Sequence, residues 1–147
     1  MSILITVDSA VRALKDAVAE KGEQFVYEKE EGLAYCAYIH GVGIEYDSDN
    51  YAEEPTLTSE STPGCMVGNA LVRLGVPMEE FLPFNDSDDA NGALQHLRHR
   101  GVIRFEDYNA ELDIKIAYTK AQSLQDQKYP WGEALQGGLD TLKDRIG

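Results

Sequence analysis

The chain has 147 residues, of which 43% are hydrophobic and 27% charged, and its formal net charge at pH 7 is −13. This length and composition are typical of one soluble globular domain, expected to span residues 1–147, and no apolar run is long enough to cross a membrane. The strong negative charge repels phosphate backbones, which argues against a general nucleic-acid binder.

Cysteine usage indicates the compartment. Cys36 and Cys65 have neither the number nor the spacing of a disulfide framework or a zinc site. The opening residues lack a basic flank and a small-residue cleavage site, so we expect no signal peptide. These features predict a cytoplasmic protein with no metal and no cofactor.

The first half of the chain predicts one helix and a hairpin. Residues 6–21 have helical apolar spacing, with Thr6 or Asp8 as the capping residue and Gly22 at the end. Aromatic and β-branched residues then dominate, and they predict strands at about 24–28 and 33–40. Residues 42–46 continue the second strand or form a third. We therefore expect an antiparallel hairpin over about 24–46.

An acidic segment follows. Residues 28–60 contain nine acidic residues and one basic residue, Lys29. Residues 47–62 have few apolar anchors and predict a long acidic loop, with a candidate surface formed by Asp47, Asp49, Glu53 and Glu54. The segment lacks the glycine and glutamate of a calcium-binding loop, so a solvated loop is the simpler interpretation.

The second half predicts mainly helices. Thr62 and Pro63 are placed to open a helix over about 63–74, and residues 78–84 form a turn or short helical piece. A helix over about 87–99 and a short strand at 102–105 follow. Residues 109–118 fit either a strand or a helix, and the long run without helix breakers to Gln127 favours a helix over about 109–127. Pro130 opens a last helix over about 131–144, which Gly137 and Gly138 weaken. The predicted fold is α+β, with a small antiparallel sheet and four or five helices.

Two motifs carry a family resemblance. "GCMVGNALVRLGVP" begins at Gly64, and "AQSLQDQKYPWGEAL" begins at Ala121. Together they resemble a family of small uncharacterised proteins of actinobacteria and their phages, over roughly residues 33–136. The resemblance implies an intracellular phage or actinobacterial setting and brings no catalytic residues with it.

Five residues are candidates for a ligand or partner site. Cys65 lies in the first predicted turn of its helix, where amide donors favour a thiolate, but no histidine is placed beside it by the sequence. Gly64 and Gly68 favour the alternative that this cysteine is a buried contact. Asn69 lies one turn later. In the second motif Gln122 and Asp126 share a predicted helical side with Gln125, and Trp131 follows the helix end. These side chains either contact a ligand by hydrogen bonds and stacking or stabilise the turn between two helices.

The basic stretch "LQHLRHRGVIRF" permits a winged helix-turn-helix, but the acids before it oppose DNA contact. The leading hypothesis is a non-enzymatic binding protein, of the kind of a phage accessory factor that engages a host protein through an acidic surface in host takeover or counter-defence. The alternative is a small-ligand or nucleotide-binding protein. A cysteine-dependent enzyme or a winged-helix DNA binder ranks third, and self-association stays open.

Overall fold

The fold is α+β, as predicted. A computed structural model describes residues 2–28, 37–47, 52–85 and 88–146. Within these ranges the strands are Ile3–Ile5 (β1), Ile39–His40 (β2), Gly43–Asp47 (β3), Ala52–Thr56 (β4), Thr62–Pro63 (β5) and Ile103–Phe105 (β6). The α-helices are Val7–Lys21 (α1), Met66–Arg73 (α2), Ala90–His99 (α3), Tyr108–Asp126 (α4) and Trp131–Ile146 (α5), and Met78–Phe84 is a 3₁₀ helix.

The described strands form three separate two-stranded ladders. β1 and β6 pair in parallel, whereas β2 with β5 and β3 with β4 pair antiparallel. The strand predicted at 102–105 therefore forms, but its partner is β1, which the sequence did not indicate. None of the helices described here is long and apolar enough to span a bilayer.

The hairpin predicted over 24–46 is wrong in its first part. Residues 25–28 form no strand, residues 29–36 lie outside the described ranges, and β2 and β3 pair with later segments. The carbonyls of Glu23 and Phe25 instead accept hydrogen bonds from the amides of Gly132 and Trp131, at 2.8 and 2.7 Å. The apolar signal in this segment reflects burial, since Tyr27 is buried in the core.

The acidic loop predicted over 47–62 is wrong where strands form, at residues 47, 52–56 and 62, whereas residues 57–61 form neither strand nor helix. Residues 52–56 form β4, paired with β3 in a register that places Glu45 opposite Glu54, and residues 62–63 form β5. Composition favours a loop here because Asp, Glu and Pro are depleted in strands. Asp49 lies outside the described residues, and Glu54 is exposed.

Side chains at the helix starts explain the observed boundaries. Thr6 caps α1 in a reciprocal capping box with Ser9, as its predicted role requires. α2 begins later than expected, because Thr62 and Pro63 belong to β5 and Cys65 is the residue that caps the helix. Residues 109–126 are helical, which resolves the strand alternative for that segment.

α4 is the central helix of the fold. It packs mainly along α5 and also contacts α1, α2 and α3. A Cβ at Gly138 would lie 2.8 Å from the Ala117 carbonyl oxygen, so this glycine allows α5 to approach α4 closely. The two glycines that weaken α5 as an isolated helix thus support its tertiary contact.

Candidate functional site

Four of the five candidate residues lie in the interior. Cys65 and Trp131 are 0% exposed, Gln122 is 3% exposed and Asn69 is 8% exposed, whereas Asp126 is exposed. The structure brings α2, which is capped by Cys65 and carries Asn69, against α4, which carries Gln122. Nearly all the candidate chemistry therefore lies where solvent does not reach it.

The α4 glutamines bind the starts of two other helices. Gln125 Oε1 accepts a hydrogen bond from the Met66 amide at 2.7 Å, and Gln122 Oε1 accepts one from the Ala90 amide at 2.5 Å. Met66 and Ala90 are the first residues of α2 and α3. First-turn amides have no partner within their own helix, and a buried one must find an acceptor elsewhere. The amide pattern that suggested ligand recognition thus joins three helices.

Each glutamine also donates through its amide nitrogen. Gln122 Nε2 donates to the Tyr38 hydroxyl at 3.0 Å, and that hydroxyl donates to the Asp88 carbonyl at 2.8 Å. Gln125 Nε2 donates to Asp126 Oδ1 at 2.9 Å. Gln125 shares a helix face with Gln122, as the sequence predicts from their three-residue spacing, and its bond to the start of α2 is what the sequence did not indicate.

The turn that contains Cys65 is held by backbone contacts to the segment before β2. The amides of Gly64 and Cys65 donate to the carbonyls of Tyr38 and Ala37, at 2.7 and 3.0 Å. A Cβ at Gly68 would lie closer than 3.0 Å to the Tyr38 backbone, which leaves no room for a larger residue. The Cys65 thiol accepts a hydrogen bond from the Gly68 amide at 3.5 Å, so the sulfur caps α2. This burial favours the structural interpretation of the thiol over the nucleophilic one.

Trp131 is a core residue at the start of α5. Its ring meets the Phe25 ring edge-on, with centroids 4.7 Å apart. The predicted burial is confirmed, and the Trp131 ring packs against the segment that follows α1. Asn69 is also bonded to the backbone of the fold: its Nδ2 donates hydrogen bonds to the carbonyls of Gly64 and Cys65, both at 3.0 Å.

Three basic side chains of the basic stretch pair with acids of the same fold. Arg98 pairs with Glu111 at 3.3 Å, Arg100 pairs with Glu80 at 2.9 Å, and His96 lies 2.9 Å from an Asp88 oxygen. The strand that follows α3 pairs in parallel with β1. Both features oppose DNA recognition by α3.

Many acidic side chains in the described ranges have no ion-pair partner. Their shared features are exposure to solvent and the lack of a cation within 4.0 Å, and they include Asp8, Asp16, Glu23, Glu28, Glu54, Glu60, Glu79, Glu106, Glu133, Asp140 and Asp144. Glu54, a member of the predicted acidic surface, is one of these unpaired carboxylates. Asp47 and Glu53 occupy positions in β3 and β4, and Asp49 lies outside the described residues. Over those same ranges, no group of three His, Cys, Asp or Glu side chains could hold a metal ion.

Comparison with protein-family models, with curated proteins and with solved structures finds no match to this chain. The resemblance to the actinobacterial and phage family therefore stays a prediction from its two motifs.

Proposed function

We propose that this protein is a non-enzymatic binding protein whose acidic surface engages a basic surface of a protein partner. The observation that carries the proposal is the set of exposed carboxylates with no counter-ion in the described ranges, in a chain of net charge −13. Complementary charge speeds association and selects the partner.

The β3–β4 hairpin is the part of this surface best suited to contact. Ile44 is 70% exposed, and the register pairs it with Pro55, which is also exposed. Glu54 is the next residue along β4, so its side chain points to the opposite face of the strand from Pro55. The hairpin therefore presents a small apolar spot on one face and an exposed carboxylate on the other, and protein interfaces combine apolar contacts with polar ones. β4 also contacts the 3₁₀ helix, which carries Glu79.

The partner that fits this chemistry is a protein with a basic groove that normally holds nucleic acid, because spaced carboxylates imitate phosphates. The motif resemblance extends the proposal to a phage accessory factor that acts on a host protein in the cytoplasm. The nucleotide-binding alternative has less support, since the polar side chains on which it depends bond to the backbone of the fold.

The test is a capture experiment from actinobacterial lysate at two ionic strengths, with competition by duplex DNA. We expect a captured protein that is released by added salt and by DNA. The double variant Glu54→Lys/Glu60→Lys should lose it. A control variant, Asp140→Lys/Asp144→Lys, has the same change in charge on α5 and should retain it. No capture at low salt, or equal loss in both variants, would contradict the proposal.

A further inference from the structure

A second surface feature is independent of the acidic hairpin. A cleft of about 430 Å³ lies between the segment that follows α1 and the β2–β5 ladder. Its volume is within the range of small-molecule sites, roughly 300–1,000 Å³. It lies on the outer side of the Gly64 turn, whereas the Cys65 thiol on the next residue is buried.

The inner wall of the cleft is fixed by a hydrogen-bonded pair. The Tyr27 hydroxyl lies 2.8 Å from His40 Nε2, and it also accepts a hydrogen bond from the Ala37 amide at 3.0 Å. A Cβ at Gly64 would lie 2.5 Å from the His40 ring, so the ring rests directly on the glycine backbone. These contacts hold the wall in one position, which lowers the entropy lost when a ligand binds.

The rest of the lining combines apolar surface with one charge of each sign. Phe25, Val26 and Pro63 supply the apolar surface, and Val26 is 39% exposed. Lys21 contributes an ammonium group, whose nitrogen lies 5.7 Å from the centre of the Phe25 ring. Glu28 contributes a carboxylate. Neither makes an ion pair with another described residue.

We propose that this cleft binds a free α-amino acid with an apolar or aromatic side chain. The ligand carboxylate pairs with Lys21, the ligand ammonium pairs with Glu28, and the ligand side chain lies against Phe25, Val26 and Pro63. A phosphate ester fits less well, because its two negative charges would meet one ammonium and one carboxylate. A zwitterion carries the two charges that complement Lys21 and Glu28.

The chain contains its own reporter for the test. Trp131 is the single tryptophan, and its ring contacts Phe25, which lines the cleft. Tryptophan emission of the purified protein is therefore followed during titration with phenylalanine, with calorimetry as a second measurement. Two analogues serve as probes: 3-phenylpropanoate lacks the amine, and phenethylamine lacks the carboxylate. We expect saturable binding of phenylalanine, about threefold or more tighter than binding of either analogue.

Two variants separate the charged groups. Lys21→Gln should weaken phenylalanine and 3-phenylpropanoate about threefold and should not weaken phenethylamine, since it removes a like charge from that ligand's site. Glu28→Gln should weaken phenylalanine and phenethylamine and should not weaken 3-phenylpropanoate, for the same reason. Lys15→Gln and Glu106→Gln make the same changes in charge at exposed positions that do not line the cleft and should have no effect. The proposal is overturned if phenylalanine binding does not saturate or if both analogues bind as tightly as phenylalanine. It is also overturned if the cleft variants bind phenylalanine as tightly as their controls do. Each result is independent of protein capture through the acidic hairpin.

Discussion

Replacing Gln125 by methionine tests the role assigned to the α4 glutamines. Methionine has nearly the same size and shape, so the substitution removes the acceptor and leaves the core filled. The Met66 amide, 2.7 Å from Gln125 Oε1, would then be buried with no acceptor. Leaving such a donor unsatisfied costs about 1–3 kcal/mol of the free energy of unfolding. A loss of about 2 kcal/mol corresponds to a fall of about 4–8 °C in the melting temperature for a chain of this size.

The assay is thermal and chemical denaturation followed by circular dichroism. Gln127→Met is the matched control, because Gln127 caps the end of α4, is exposed, and bonds through its side chain to Ser123 alone among the described residues. We expect the control to change the free energy of unfolding by less than about 0.5 kcal/mol. If the two variants have the same melting temperature, Gln125 does not stabilise the start of α2, and our account of the interior is wrong.

Three further changes probe the core. Trp131→Ala should lower the free energy of unfolding by roughly 3–5 kcal/mol, seen as partial unfolding at room temperature, and a normally melting variant would contradict the burial. Gly68→Ala should cost about 2–3 kcal/mol in denaturant titration, because its Cβ would press on the Tyr38 backbone; an unchanged midpoint would refute that contact. Burial raises the pKa of Tyr118 above its ordinary value of 10.0, so unfolding releases its proton and stability falls as pH rises above that value. The Tyr118→Phe variant should therefore lose less stability between about pH 10 and 12, and equal slopes would exclude the effect.

Helices with local signals could be predicted from the sequence. Apolar spacing and caps lie within a few residues of each other, so α1 with its Thr6 cap and the long helix α4 are found where expected. The burial of Trp131 also follows locally, from its position after Pro130 at the first turn of a helix.

Features set by distant partners could not be predicted. The acceptor of the Met66 amide is 59 residues further along the chain, and nothing near residue 66 indicates it. An amide side chain that binds a ligand and one that binds a helix start have the same local pattern. The same limit explains why Phe25 and Tyr27 suggest a strand, since an alternation of aromatic residues reports burial and does not identify a pairing partner.

The parallel pairing of β1 with β6 has a consequence for the order of folding. Ile3 is in register with Ile103, so this contact closes a loop of 100 residues. At translation rates of about 5–20 residues per second, β1 waits on the order of 5–20 s for its partner to leave the ribosome. During that interval the apolar face of α1 also lacks α4 and α5, which follow β6. Contacts of such long range slow folding, so the β1–β6 ladder and the contacts of α1 with α4 and α5 are expected to form late, after α1 has packed against α2.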